Sequence, residues 1–302
     1  MKPHQIPEPI NFNSYLFKTK PGSIVVEIAG LTIRIRTESL ELIESAKKRY
    51  KKFLSLTNNF SLNLDVHLSP GIHSPNPNGT EDFFNEQVFQ NDKCLVCSNY
   101  FTGYIENNNN YSKVVCSETS PLSWLEHFLR ITYAILALQK GDLLFHGAAL
   151  VMDGKGYIFF GPSGCGKSTV TELSEDCTVL GDDLIVIKRK DNQFRAFATP
   201  FNSEEDTGFQ ITNTNAPITS LYRLKQGKST FIKEMNPAHI LAELLMSVPS
   251  VNKNIYASSP AIDLCTQIID SIPCYEMYFT PDNKFWKLIE KNSKIGNYSP
   301  GI

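Results

Sequence analysis

The sequence has no long apolar run. No window of its 302 residues reaches the length of a membrane span, and the opening stretch MKPHQIPEPINFNS lacks the apolar core of a signal peptide. An excess of either charge is also missing. The 29 basic and 31 acidic side chains leave a formal charge of −2, so there is no broad electrostatic footprint for nucleic acid or an anionic membrane, and any recognition of phosphate has to be local. The seven cysteines are odd in number and have no framework spacing, which suits a reducing compartment. Cys94 and Cys97 form a lone C-x-x-C without a second pair or a histidine at ligand spacing, which argues against a zinc site. Together these absences lead to the expectation of a cytoplasmic protein with neither nucleic acid nor membrane as partner.

What is present is a tetrapeptide, GKST, that occurs twice. A phosphate-binding loop needs a further glycine five residues before the Gly-Lys pair, so that a wide turn can wrap its backbone N–H groups around the phosphates. The first copy has it, in Gly161, Gly166, Lys167 and Ser168, whereas the second, Gly227 to Thr230, has Tyr222 at the matching position. Context separates them too. The apolar run Tyr157 to Phe160 reads as a buried strand before the first copy, and residues Thr169 to Glu175 as a short helix after it. Around the second copy, ITSLYRL and STFIKEM read as two strands, making Gln226-Gly227-Lys228 a hairpin turn and Lys228 a solvated turn residue.

The 41% hydrophobic content supports a packed core, and the patterning predicts two parts. Residues 1–118 read as a small α+β unit. It holds a strand pair at SIVVEIAGLTIRIRT, a helix at SLELIESAKKRYKKFLSL and an alternating strand at SLNLDVHLS whose polar face carries His67 as a solvated residue. Residues 119–302 follow, opening with a helix from Ser120 as N-cap and Pro121 as first helical residue to a stop at Gly141. A hairpin of LLFHGAALVM and YIFF turns at Asp153-Gly154 and leads straight into the first GKST. A second hairpin joins DLIVIKR to QFRAFAT, helices are capped at Asn236-Pro237 and Ser259-Pro260, and a strand CYEMYF precedes a last helix around Trp286.

Three groups carry chemistry. In the loop formed by Gly161, Pro162, Ser163, Gly164, Cys165, Gly166, Lys167, Ser168 and Thr169, Lys167 would neutralise the β- and γ-phosphates of ATP and the Ser168 hydroxyl would ligate Mg²⁺. The strand TVLGDDLIVI brings Asp182 and Asp183 to where a second metal ligand is needed. One carboxylate then serves the metal, with Asp183 taken beside Ser168, and the other accepts a proton from an attacking hydroxyl; the residues leave open which is which. His146, in FHGAAL before the first hairpin turn, is either a core histidine or a group returned toward the terminal phosphate.

The stretches LLFHGAALVMDGKGYIFFGPSGCGKST and VLGDDLIVI resemble the catalytic core of the HPr kinase/phosphorylase family, in particular its relatives of unassigned substrate. The resemblance runs from the Pro121 helix to the C-terminal helices. It implies an α/β fold with a P-loop nucleotide-binding core shared with phosphoenolpyruvate carboxykinases and a mixed sheet, preceded by the α+β unit. It further implies Lys167 on phosphate, Ser168 and one aspartate on Mg²⁺, the other aspartate as base, and His146 beside the reacting phosphate. The glycine-rich signature segment of true HPr kinases is missing downstream of the aspartates, where Glu204 and Glu205 stand, which points away from HPr as acceptor. The function expected is an ATP- and Mg²⁺-dependent kinase acting on a hydroxyl, serine or threonine of a protein or peptide, with homo-oligomerisation left open. The alternatives are a small-molecule kinase and a nucleotide-binding regulator without turnover.

Overall fold

The computed structural model describes residues 10–72, 85–90, 93–106, 109–202, 211–249 and 255–296. The chain packs as two compact units, Met1–Leu136 and Ala137–Ile302. Each contains a mixed sheet with helices, so the fold class is α/β. No helix among the described residues is long and apolar enough to cross a membrane.

In the first unit β1 (Gly22–Ile28) and β2 (Leu31–Thr37) form an antiparallel pair. Ala29 and Gly30, both at positive φ, make the tight turn between them. Helix α1 (Leu40–Arg49) follows, its first turn capped by the Ser39 hydroxyl accepting from the Leu42 N–H at 3.2 Å, and its last turn carrying Lys47, Lys48 and Arg49 as the helix dipole favours. It crosses over to β3 (Leu62–Ser69), which lies parallel to β2. Strands β4 (Asn85–Gln90), β5 (Lys93–Ser98), β6 (Phe101–Glu106) and β7 (Tyr111–Ser117) complete a seven-stranded sheet of order β1-β2-β3-β7-β6-β5-β4. Cys94 and Cys97 are buried on β5 as free thiols, and burial pushes Cys94 up to about 12.

The polar face of β3 differs from the sequence expectation. His67 is buried, 8% exposed, because the segment before β1 crosses that face and stacks Phe17 on the imidazole with centroids 4.7 Å apart. Desolvation and the nearby Lys113 charge hold His67 below its usual pKa. Strand alternation identifies a face but says nothing of what a distant segment lays over it. Helix α2 (Pro121–Gln139) has the expected extent, although Ser120 enters it from a positive φ of 53°.

The second unit opens with β8 (Leu143–Met152) and β9 (Lys155–Phe160), an antiparallel hairpin turning at Asp153 and Gly154, both at positive φ. Next come α3 (Lys167–Glu172), β10 (Thr178–Gly181), β11 (Leu184–Lys190), β12 (Gln193–Phe197) and β13 (Asn215–Gln226). The chain ends with β14 (Phe231–Glu234), α4 (Pro237–Met246), α5 (Ile255–Ser271), β15 (Cys274–Phe279) and α6 (Lys284–Gly296). Pairing runs from β8 to β11, β12, β13, β9 and back to β8, closing a ring of five strands. Phe145 and Phe160 meet edge to face at 5.6 Å between β8 and β9. On the other face of β9, Phe159 packs against Tyr222, Phe285 and Trp286, all nearly excluded from water. Each such ring contributes about 1.5–3 kcal/mol of burial free energy.

Two local expectations are corrected. The strands flanking the second GKST do not form a hairpin: β15 lies between them, parallel to β13 and antiparallel to β14. A turn signal is local, and the strand that intrudes comes from beyond two helices. Helix α5 begins upstream of the expected Ser259-Pro260 cap, with Pro260 inside it.

Candidate active site

Strand β9 is almost wholly buried and ends at Phe160, where the chain leaves the sheet and wraps into the loop Gly161 to Gly166 before α3 begins at Lys167. Two glycines are required by position. Gly161 has φ 142°, and a Cβ there would stand 3.1 Å from the Cys165 sulfur. Gly166 has φ 112°, and its Cβ would come within 2.3 Å of the Phe279 ring. Pro162, Ser163, Gly164 and Ser168 are exposed, Thr169 is half-buried, and Cys165 is buried with its thiol pushed up by desolvation, against the opposing pull of Lys167. Cys165 is therefore a neutral filler of the loop.

Lys167 is 9% exposed, and its ammonium donates to the Gly161 carbonyl at 3.0 Å and the Pro162 carbonyl at 3.5 Å. The loop thus closes on its own cation. Helix α3 is six residues long and ends at Glu172, short of the expected Glu175. Ser174 stops it by bonding back to the Val170 carbonyl at 2.6 Å, and Trp286 donates to that same hydroxyl at 2.9 Å.

The two aspartates stand at a bend. Strands β10 and β11 are both antiparallel to β8, pairing at Val151 to Ala149 and at His146 to Leu143 respectively, so Asp182 and Asp183 mark a kink between them. The Asp183 carbonyl accepts from the Gly147 N–H at 3.0 Å, and its carboxylate Oδ1 lies 3.1 Å from His146 Nε2. Gly147 in turn pairs with Phe160, the last residue before the loop. Asp183 is therefore two strand spacings from β9, about 10 Å. Where β9 has left the sheet, the Ser247 carbonyl just beyond α4 takes over as acceptor for the His146 N–H at 2.7 Å. His146 and Asp183, read separately from the sequence, are thus brought together.

Asn202 escaped the sequence reading. Its Oδ1 accepts from the buried Asp182 N–H at 3.1 Å, its amide donates to the Thr199 carbonyl, and the Thr199 hydroxyl donates to the Leu184 carbonyl at 2.6 Å. The turn ATPFN thereby braces the aspartate bend, and a Cβ on Gly181 would stand 2.7 Å from Asn202 Oδ1. No local signal marks Asn202. Glu204 and Glu205 lie outside the described residues.

A charged group at the end of β13 was also missed. Arg223, one pairing step from Phe160, meets Glu243 of α4 at 2.8 Å and Glu276 of β15 at 3.6 Å, while Lys225 reaches Glu276 at 2.6 Å and His239 reaches Glu243 at 3.3 Å. Burial pushes the Glu276 carboxyl up, but hydrogen bonds from Lys225 and Tyr278 and the two cations outweigh it and hold the group below the usual range. The same hydrogen bond raises Lys225. Gln226 then donates to the Gly164 carbonyl at 2.9 Å, which sets the second GKST segment against the first loop.

Among the described residues no three or more His, Cys, Asp and Glu side chains group as a metal cage. Ser168, Asp182 and Asp183 are hard oxygen donors, the type that Mg²⁺ takes when it binds through few protein ligands and its own waters.

Residues 114–294 match the family described as SynChlorMet cassette protein ScmC. No curated protein matches the chain. Among solved structures, the HPr(Ser) kinase/phosphatase from Coxiella burnetii is similar over 51% of this chain and 98% of that one, at 13% identity and a TM-score of 0.31. A likeness of that size leaves the activity to be argued from the residues.

Proposed function

We propose, from the premise that the chain belongs to the ScmC family of SynChlorMet cassette proteins, that the second unit is an ATP-dependent phosphotransferase acting on a hydroxyl, with serine or threonine of a protein or peptide as acceptor. The observation that carries this reading is the 3.1 Å approach of His146 and Asp183 beside a glycine loop that holds a buried lysine. A glycine loop alone could be a turn. An acid–imidazole pair, with His146 one strand from β9 and Asp183 two, gives it a reaction to serve.

In this reading the backbone N–H groups of the loop and the Lys167 ammonium hold the phosphate chain. Lys167 exchanges its contacts with the Gly161 and Pro162 carbonyls for phosphate oxygens. Asp183 takes the proton of the acceptor hydroxyl and can pass it to His146 Nε2, so the pair rather than one carboxylate disposes of it. That contact is the reason to exchange the roles expected from spacing: Asp182, with its N–H pinned by Asn202, joins Ser168 on the metal side. Mg²⁺ bound there would offset charge on the phosphates.

The test is calorimetric binding of ATP with magnesium to the natural protein and to Lys167→Ala, followed by turnover of hydroxyl acceptors by Asp182→Asn and Asp183→Asn. The expected result is binding lost in Lys167→Ala, and turnover lost with binding kept in Asp183→Asn. Equal ATP affinity in the natural protein and Lys167→Ala would sink the reading. Binding without turnover for any acceptor would turn it into a nucleotide-binding regulator.

A further inference from the structure

The second GKST segment is not a phosphate loop, yet it is held against one. Gln226 Nε2 donates to the Gly164 carbonyl at 2.9 Å, the Gly227 N–H donates to the Phe279 carbonyl at 3.1 Å, and the Thr230 and Thr280 hydroxyls meet at 2.8 Å. The connection from β13 to β14 is thereby tied at one end to the glycine loop and at the other to the end of β15.

Directly after it stands an aromatic step. Register places Lys225, Tyr278 and Phe231 side by side across β13, β15 and β14. Phe231 and Tyr278 stack almost face to face, centroids 4.5 Å apart and planes 8° off parallel, with the Lys225 ammonium 5.4 Å from the Tyr278 centroid. A cross-strand aromatic pair by itself serves only the sheet. This one leaves Phe231 43% exposed, at the edge of the sheet where the parallel strands β9, β13 and β15 end and the glycine loop starts. A phosphate chain held by the loop at the start of α3 would lie at that edge. Three strand spacings, about 14 Å, separate β9 from β14, a span that an extended nucleoside triphosphate can bridge. The aspartates lie on the opposite side of β9, beyond β8.

We propose that the Phe231–Tyr278 step is the nucleobase subsite of this enzyme, a stacking platform for the purine ring of the phosphate donor. The inference rests on the phosphate-loop reading above and deepens it. It makes the donor a nucleoside triphosphate rather than pyrophosphate or another inorganic phosphate.

The experiment compares the affinities of ATP and inorganic tripolyphosphate, both with magnesium, for the natural protein, Phe231→Ala, Phe231→Tyr and Lys167→Ala. Unchanged thermal melting of the Phe231 variants establishes that they are folded. Phe231→Ala is expected to weaken ATP by about 5- to 150-fold, the factor to which base–aromatic stacking of about 1–3 kcal/mol converts. Tripolyphosphate affinity should not move, and Phe231→Tyr should retain ATP. Equal weakening of both ligands, or ATP affinity unaltered in Phe231→Ala, overturns the platform while leaving the loop intact. Indifference of both ligands to Lys167→Ala overturns the loop, and the platform with it.

Discussion

Replacing Gly166 by alanine tests the loop's construction most directly, because two separate penalties meet at one methyl group. At φ 112° a residue with a side chain is strained, at a cost of about 1–3 kcal/mol. The new methyl would also stand 2.3 Å and 2.9 Å from two carbons of the Phe279 ring, which is 3% exposed and packed in the core. Such overpacking costs a further 1–3 kcal/mol or so. The sum, about 2–6 kcal/mol, is a large part of the roughly 5–15 kcal/mol that a domain has. Urea unfolding of a double-mutant cycle separates the two. Phe279→Leu shortens the ring without touching the backbone, so the cost of Gly166→Ala should fall by about 1–3 kcal/mol in that background and leave the strain behind. Additivity within about 0.5 kcal/mol would refute the contact. A cost under about 1 kcal/mol in both backgrounds would refute the strain.

Two further outcomes are expected. Arg223→Met keeps most of the side-chain volume but leaves Glu243 and Glu276, whose side chains are 14% and 7% exposed, without their guanidinium. Lys225 and His239 still reach the two carboxylates, so a loss of about 1.5–3 kcal/mol in urea unfolding is expected, and a loss below about 1 kcal/mol would place the cluster among solvent-screened pairs. Glu276, with its carboxyl held below the usual range, contributes stability that is fully present above the unfolded value of about 4.3 and is lost as pH falls through the lower folded value. Urea midpoints followed downward from neutral pH should therefore fall less steeply in Glu276→Gln. Parallel acid limbs for the two proteins would contradict the assignment.

Local features were read more often than long-range ones, although the start of α5 and the end of α3 were misplaced. The β8–β9 hairpin and the loop after it were legible because Asp153-Gly154 and the glycines at 161, 164 and 166 are demanded by backbone angles within a few residues. The aspartates were legible as chemistry but not as a bend, since TVLGDDLIVI reads as one strand and the break between β10 and β11 shows only in their pairing with β8. The pairing of His146 with Asp183 was not legible, since it depends on β11 returning along β8. Asn202 and Gln226 act on backbone groups far away in the chain, and nothing in their own neighbourhoods announces that. His67 shows the limit of periodicity: its face was identified correctly, but Phe17, from a segment with no regular pattern, covers it.

The ring of strands has a consequence for the order of assembly. Its first pair, β8 with β9, forms across a two-residue turn, but the ring closes only when β13 arrives beside β9, and such distant parallel pairing is slow because chain closure precedes its reward. Phe279, which packs under Gly166, comes later still. During synthesis the loop would therefore be exposed before its floor exists, with the β9 edge unpaired and open to other chains. Folding yield, more than the stability of the finished domain, is where substitutions on the β9-facing edge of β13 would be felt.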